Sequence, residues 1–311
     1  MIEVSNLVKR YRKATDNAVD GISFKVQPGE LFALLGPNGA GKTTTISILT
    51  TTLSPTSGTA IVAGSDVAKQ ASDVRGKVGI IFQKPSLDLR LTAEQNIRFH
   101  ATLYGLYPFR PAYSAMPRAY KEKLQELSEV LDISGEIFKP ISTFSGGMKR
   151  KIEIVRSLIH RPKVLFLDEP TIGLDPSSRR SLWHYLTRVR ADTGTTVLLT
   201  THYLEEAEQA DRICIINRGK VVSDGTPSEV KSQLLDSYLL IDSGDRSRLL
   251  DELKTLGLTV EGGPPFRIPF KGKTPHQIVK SIETPLTVLK VHAPTLEDAY
   301  LAIVEGARPD G

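Results

Sequence analysis

The sequence contains a single cysteine, Cys214, among 311 residues. An internal disulfide is therefore impossible, which excludes a small secreted fold held together by disulfides. Cys214 lies in the apolar run 213–216. This position indicates a buried strand residue rather than a reactive thiol.

Long apolar runs are also missing. Runs such as residues 164–167 extend over only a few positions, whereas a membrane-spanning helix needs roughly 20 apolar residues. The opening residues, MIEVSNLVKRY, lack the apolar stretch of a secretion signal. We therefore expect a cytosolic chain that does not cross a bilayer by itself.

The charge imbalance is small, with a formal net charge of +5. Basic residues cluster only in short groups, such as 149–151 and 179–180. A nucleic-acid-binding protein would show a longer basic stripe, so no nucleic-acid partner is expected. A mildly basic surface suits an anionic nucleotide or an anionic membrane leaflet, and a solvated polar face is the alternative for each cluster.

Four short and nearly unbroken apolar runs predict strands that are covered on both faces, as in a parallel sheet. These runs are residues 31–35, 78–82, 164–167 and 197–199. Alternating residues in 1–30 predict further strands, and residues 212–224 predict a hairpin. The stretch 92–160 is mostly helical in pattern, but Pro108, Pro111 and Pro117 predict a loop at 107–117.

After about residue 230 the pattern changes to strands and helices that alternate over short distances. Predicted strands lie at 238–241 and 286–291, and predicted helices at 246–256, 276–282 and 296–304. This set is sufficient for a small α+β appendage over residues 236–311, separate from a larger domain at 1–230.

A phosphate-binding loop follows the first apolar run and precedes a helical segment. Glycines let successive backbone N–H groups point at phosphate oxygens, and the helix adds its positive N-terminal end. The lysine of the motif should reach the β- and γ-phosphates, and the threonine hydroxyl should hold Mg²⁺. The residues are Gly36, Pro37, Asn38, Gly39, Ala40, Gly41, Lys42, Thr43 and, opening the helix, Thr44.

Two acidic residues end the apolar run 164–167. A carboxylate at the C-terminal end of a parallel strand faces the crevice in which such sheets bind ligands. We therefore expect Asp168 to hold Mg²⁺ and Glu169 to polarise the attacking water. Acidic strand ends are common, so this prediction depends on the phosphate loop upstream.

A second helix end that could bind an anion is predicted at Ser145. Serine is a favoured N-cap, and an apolar face recurs at helical spacing after it, at Met148, Ile152, Val155 and Ile159. The open N–H groups of Ser145, Gly146 and Gly147 would then form a second anion site. Two phosphate-binding helix ends on one chain suggest that two chains hold ATP between them.

Residues 143–148, TFSGGM, resemble the LSGGQ signature of the ABC ATPases. The serine of this segment, Ser145, lies 23 residues before Asp168. This resemblance implies further roles for four residues. Gln83 corresponds to the Q-loop glutamine that contacts Mg²⁺ or the lytic water, and Asp175 to the D-loop at the dimer seam. His202 corresponds to the switch histidine. Tyr11, 31 residues before Lys42, corresponds to the aromatic stacked on adenine, with simple packing as its alternative.

Residues 294–300, PTLEDAY, resemble the tail of the daunorubicin-type drug-resistance exporter ATPases. The resemblance implies a P-loop, RecA-like α/β core with an N-terminal antiparallel β subdomain, a helical subdomain and the C-terminal α+β appendage. It also implies Mg²⁺-dependent ATP hydrolysis, an ATP-bound homodimer and a separate integral-membrane subunit, at the cytoplasmic face of the membrane, that exports drugs or other hydrophobic compounds.

Two alternatives are weighed against that function. Soluble relatives that act on ribosomes usually carry two cassettes, and those that act on DNA split the cassette with a coiled coil, whereas this chain has one unbroken cassette. A nucleotide-gated module without useful turnover would not need Glu169 and His202, and both are present.

Overall fold

The computed structural model of the chain describes residues 1–12, 14–82, 86–234, 237–270, 272–292 and 295–305. These residues belong to two compact units, which divide between Asp224 and Gly225. In the described part of the chain, no helix combines the length and the apolar character that crossing a bilayer requires.

The first unit contains ten strands and seven α-helices in its described residues. The strands are β1 (Ile2–Lys9), β2 (Val19–Val26), β3 (Leu31–Leu35), β4 (Ser57–Val62), β5 (Ser65–Asp66), β6 (Val78–Ile81), β7 (Val164–Asp168), β8 (Thr196–Thr201), β9 (Arg212–Asn217) and β10 (Lys220–Gly225). The helices are α1 (Lys42–Leu49), α2 (Ala71–Lys77), α3 (Ala93–Leu103), α4 (Arg118–Val130), α5 (Gly146–Leu158), α6 (Pro176–Thr193) and α7 (Leu204–Ala207).

The central sheet has six strands in the order β10-β9-β3-β8-β7-β6. Strand β3 pairs in parallel with β8 and β9, and β7 pairs in parallel with β6 and β8. Every residue of β3, β7 and β8 is buried, so both faces of the sheet are covered. The prediction of a parallel sheet from the four apolar runs is confirmed, and Cys214 lies buried in β9 as expected.

A second sheet of the first unit has the order β2-β1-β4-β5 and is antiparallel throughout. Its apolar residues alternate with exposed ones, so that one face packs into the core. Phe24 of β2 stacks on Phe32 of β3 with ring centroids 5.3 Å apart. The two sheets therefore share one apolar core, and the phosphate loop follows β3, a strand of that core.

Helices α3, α4 and α5 form the helical region predicted at 92–160. Thr92 begins α3 with a reciprocal capping box to Gln95. The proline-rich segment 107–117 contains no α-helix, as its prolines predict, but a short 3₁₀ turn at Tyr113–Ala115. The buried pair of Arg98 and Glu94 holds this segment, because Arg98 also donates to the carbonyl of Arg110.

The second unit is built on a three-stranded antiparallel sheet in the order β12-β11-β13. Its elements are α8 (Pro227–Leu234), β11 (Tyr238–Ser243), α9 (Arg246–Thr255), β12 (Phe266–Pro269), α10 (Pro275–Lys280), β13 (Leu286–His292) and α11 (Leu296–Glu305). The predicted strands and helices are present. The sequence interpretation missed β12, because a four-residue strand beside several prolines gives little periodicity.

Candidate functional site

The phosphate loop connects β3 to α1, and two of its glycines are required by close backbone approach. A Cβ atom on Gly36 would lie 2.1 Å from the carbonyl oxygen of Ile216, and one on Gly41 would lie 2.4 Å from that of Ala18. Gly41 also has φ +107°, a conformation that favours glycine. The loop therefore bends tightly between β3 and the first turn of α1.

Lys42 is only 6% exposed, and its ammonium lies inside the bend of the loop. It donates to the carbonyl oxygens of Gly36 at 2.6 Å and Pro37 at 3.1 Å. Burial lowers the pKa of Lys42, and the carboxylates of Glu169 and Asp168 oppose that shift. A cation thus lies beside two carboxylates at the C-terminal end of the sheet.

Asp168 ends β7 and is almost completely buried. Burial raises its pKa, whereas hydrogen bonds from the hydroxyls of Thr200 and Thr43 lower it. The Thr200 hydroxyl donates at 2.6 Å. Thr200 was missed in the sequence, although two threonines ending the apolar strand β8 were a signal for hydroxyls at this edge of the sheet.

Glu169 follows directly and has an unusual backbone conformation, with φ +50°. Its N–H group donates to both the carbonyl and the hydroxyl oxygen of Thr200, each at 3.1 Å. Its Oε1 lies 3.4 Å from Nδ1 of His202, which follows β8. The structure therefore brings Glu169 and His202 together at the edge where Lys42 and Asp168 lie.

Tyr11 lies just after β1 and is 46% exposed. Its hydroxyl oxygen is 3.3 Å from Oγ1 of Thr44, in the first turn of α1. The ring is thus held beside the phosphate loop, with much of its surface open to solvent.

Ser145 caps α5, as the sequence predicts, because its Oγ accepts a hydrogen bond from the N–H of Met148 at 3.2 Å. Ser145 and Gly146 are exposed, while Ile152 and Val155 of the predicted apolar face are buried. The helix end is therefore anchored by its apolar face and open at its tip.

Asp175 caps α6 by accepting from the N–H groups of Ser177 and Ser178, both at 3.0 Å. Hydrogen bonds from Ser178 and Ser177 hold its pKa well below the usual range. This cap was missed in the sequence, although an aspartate before Pro176 signals a helix start. Gln83 lies outside the described residues.

Arg150 contradicts the alternative of a solvated face for one residue of the basic cluster 149–151. The residue is only 4% exposed, and its side chain donates to backbone carbonyls next to the site. A basic residue between two lysines gives no sequence signal of burial, because its acceptors come from distant parts of the chain.

Known proteins resemble this chain in sequence and in fold. The family model described as ABC transporter matches residues 19–172. The chain is 38% identical to the daunorubicin/doxorubicin resistance ATP-binding protein DrrA of Streptomyces peucetius, over 97% of this chain and 92% of that protein. It is 39% identical to the linearmycin resistance ATP-binding protein LnrL of Bacillus subtilis, over 75% of this chain and 72% of that protein.

Among solved structures, one described as the ATP-binding subunit of an ABC transporter is 30% identical, with a TM-score of 0.67, and the match covers 82% of this chain and 98% of that one. A dimeric structure of the ATP-binding cassette MJ0796 bound to ADP and Pi matches with a TM-score of 0.65, over 73% of this chain and 98% of that one. The identity is 24%, so this match shows the shared fold. The resemblance inferred from the motifs is thereby confirmed: the chain belongs to the ABC transporter family, as one of its ATP-binding and ATP-hydrolysing proteins.

Proposed function

We propose that the residues gathered at the C-terminal ends of β3, β7 and β8 convert ATP and water to ADP and phosphate. The observation that carries this proposal is the convergence of Lys42, Asp168, Glu169 and His202 at one edge of the parallel sheet. Ligands bind at this edge in open α/β sheets.

Positioning and charge stabilisation supply most of the catalysis in such a site. The N–H groups of the loop 36–41 and the end of α1 cradle the phosphates, and Lys42 moves its hydrogen bonds from loop carbonyls to the β- and γ-phosphate oxygens. Glu169 accepts a proton from the attacking water or orients it. His202, beside Glu169, donates to the γ-phosphate.

The chain's own oxygens fit a magnesium ion. Thr43 offers a hydroxyl and Asp168 a buried carboxylate, and the two are hydrogen-bonded to each other. Mg²⁺ takes few protein ligands beside phosphate oxygens and water, so two oxygens from the chain suit it. When bound, the ion would neutralise charge on the β- and γ-phosphates. We include Gln83 in this site on the motif alone.

Chelation tests this function. Purified chain should release phosphate from ATP in the presence of Mg²⁺, and excess EDTA should abolish the release because Thr43 and Asp168 then have no ion to position. Adding Mg²⁺ back should restore the rate. Equal phosphate release with and without EDTA would contradict the proposed magnesium site.

Tyr11→Ala should weaken ATP binding by about 1–2 kcal/mol, or roughly 5- to 30-fold in the dissociation constant, because the adenine loses its stacking surface. Turnover at saturating ATP should barely change. Tyr11→Phe is the matched control, since it keeps the ring and loses only the contact with Thr44. A collapse of the maximal rate at unchanged affinity would give Tyr11 another role.

ATP is bound between two copies of the chain. The tip of α5 consists of Ser145 and Gly146, which are exposed, and Gly147, which is half-buried. This tip closes over the γ-phosphate held by Lys42 of the second copy. Asp175, whose carboxylate caps α6, lies at the seam between the copies. Closing and reopening of this homodimer is the motion that ATP binding and hydrolysis would drive.

A separate integral-membrane subunit uses that motion at the cytoplasmic face of the membrane to export a drug or another hydrophobic compound. The names of the resistance proteins DrrA and LnrL support the substrate class. The helical region supports the contact, because α3 and the loop after it expose Phe99, Leu103 and Phe109.

We place the nucleotide-binding domain at residues 1–230, since every motif of the site precedes residue 203. The two compact units of the fold divide six residues before that bound, between Asp224 and Gly225. Residues 236–311 form a separate C-terminal α+β domain without such motifs. The apolar cluster of Leu239, Ile241, Leu249, Leu253 and Ile268 supports its independence.

A further inference from the structure

The guanidinium of Arg150 lies at a junction of three segments of the proposed site. It belongs to α5, five residues after Ser145. An arginine side chain has five N–H donors, and Arg150 has five acceptors. Nε donates to the carbonyl of Pro170 at 3.0 Å, and Nη2 to those of Asp168 at 3.0 Å and Glu169 at 3.1 Å. Nη1 donates to the carbonyl of Phe82 and, at 3.2 Å, to Glu153.

Three of these acceptors surround the unusual backbone of Glu169. A non-glycine residue at positive φ costs free energy and persists only where its surroundings hold it. Here Arg150 holds the carbonyls of residues 168, 169 and 170 from one side, and Thr200 accepts the Glu169 N–H from the other. The orientation of the Glu169 side chain relative to the backbone therefore depends on Arg150.

The same face of α5 holds the residues on either side of 83–85. Arg150 binds the carbonyl of Phe82, and Glu153 accepts the N–H of Ser86 at 2.8 Å. Arg156 donates to the carbonyl of Ser86 at 2.8 Å and pairs with Glu153 at 3.7 Å. Both charged partners of Glu153 are thus engaged with backbone rather than solvent.

We propose that Arg150 is a positioning residue for ATP hydrolysis, which ties the helix beginning at Ser145 to the backbone of Glu169 and to the strand end at Phe82. This inference rests on the proposed role of Glu169. Arg150 does not touch the phosphate loop among its described contacts, so its influence falls on the hydrolytic step rather than on ATP binding.

Arg150→Lys tests the proposal, because lysine keeps the charge but offers three donors from a single point in place of a planar array of five. We expect kcat to fall about 10- to 100-fold, the scale of a displacement of about 1 Å in a catalytic group. The dissociation constant for ATP should stay within about twofold. Arg118→Lys, at an exposed arginine that pairs with Glu122 on its own helix, should leave both unchanged.

A double-mutant cycle with Glu169→Gln separates positioning from general structural damage. If Arg150 acts through Glu169, adding Arg150→Lys to Glu169→Gln should change the residual single-turnover rate less than about twofold. If Arg150→Lys does not fold, Glu153→Gln serves instead, because it removes one acceptor from the Arg150 and Ser86 network. A fall in kcat of about 3- to 10-fold, again absent with Glu169→Gln, is then expected.

Three results would overturn the proposal. These are an unchanged kcat, a parallel loss of kcat and ATP affinity, or the same fold reduction in both backgrounds. A Glu169→Gln variant that hydrolyses ATP at the wild-type rate would instead remove Glu169 from the mechanism, and the positioning role of Arg150 would fall with it.

Discussion

Glu169→Gln is expected to lower the rate of ATP hydrolysis by about 10²- to 10⁴-fold, the usual contribution of a positioned general base. The amide is nearly isosteric with the carboxylate, so the hydrogen bonds of the Glu169 backbone to Thr200 and Arg150 should persist. Glutamine cannot accept the proton of water. Phosphate release at saturating Mg²⁺-ATP measures the loss, and equilibrium titration with ATP should show retained affinity.

Glu205→Gln is a matched control for this change. Glu205 is an exposed glutamate on α7, three residues after His202, so the same chemical substitution is made near the site but outside it. Its rate should equal that of the unmodified chain. Equal rates for Glu169→Gln and Glu205→Gln would remove Glu169 from the hydrolytic mechanism.

Lys42→Ala should weaken ATP binding at least about 100-fold. The lysine supplies charge-assisted hydrogen bonds to the phosphates, and losing two such bonds removes roughly 3 kcal/mol. Its ammonium is also buried between the loop carbonyls and two carboxylates, so its loss leaves Asp168 and Glu169 without the neighbouring cation. Titration at fixed Mg²⁺ measures the effect.

The control for this change is Lys25→Ala, at an exposed lysine on β2 that pairs with Glu3 at 3.9 Å. ATP affinity should not change there, because the side chain lies outside the proposed site. Unchanged affinity in Lys42→Ala itself would contradict the assignment of the phosphate loop.

The strands and the order of motifs could be predicted from the sequence because each leaves a local pattern. Strands buried on both faces appear as unbroken apolar runs, and β3, β7 and β8 are such strands. The phosphate loop has a fixed spacing, and Ser145 has the chemistry of an N-cap. Each of these patterns can be read from residues that are close together in the sequence.

The support of the site could not be predicted in the same way, because its partners are distant in sequence and often lie in the backbone. Arg150 is bound by carbonyls at residues 82 and 168–170, and a carbonyl has no sequence signature. The positive φ of Glu169 is likewise set by Thr200 and Arg150, not by the preference of glutamate. Local pattern thus indicates the reacting groups, and the fold decides what holds them.

The proline-rich segment 107–117 could be predicted from the sequence only in part. Its prolines correctly excluded an α-helix. Its attachment through Arg98, Glu94 and Tyr120 could not be foreseen, because charged residues four apart on a helix usually pair at the surface, whereas this pair is buried. Because the pair is buried, removing either Arg98 or Glu94 would leave an unpaired charge in the interior and destabilise the segment.

The molecular mass of Glu169→Gln in solution tests most directly whether two copies hold ATP between them. Light scattering should show a monomer without nucleotide and with ADP, and a dimer with Mg²⁺-ATP, because the unhydrolysed γ-phosphate joins Lys42 of one copy to the Ser145 helix end of the other. Adding Ser145→Arg should abolish the dimer and leave the affinity of the monomer for ATP similar. The same mass with ATP and ADP, or a dimer that tolerates arginine at position 145, would contradict the account.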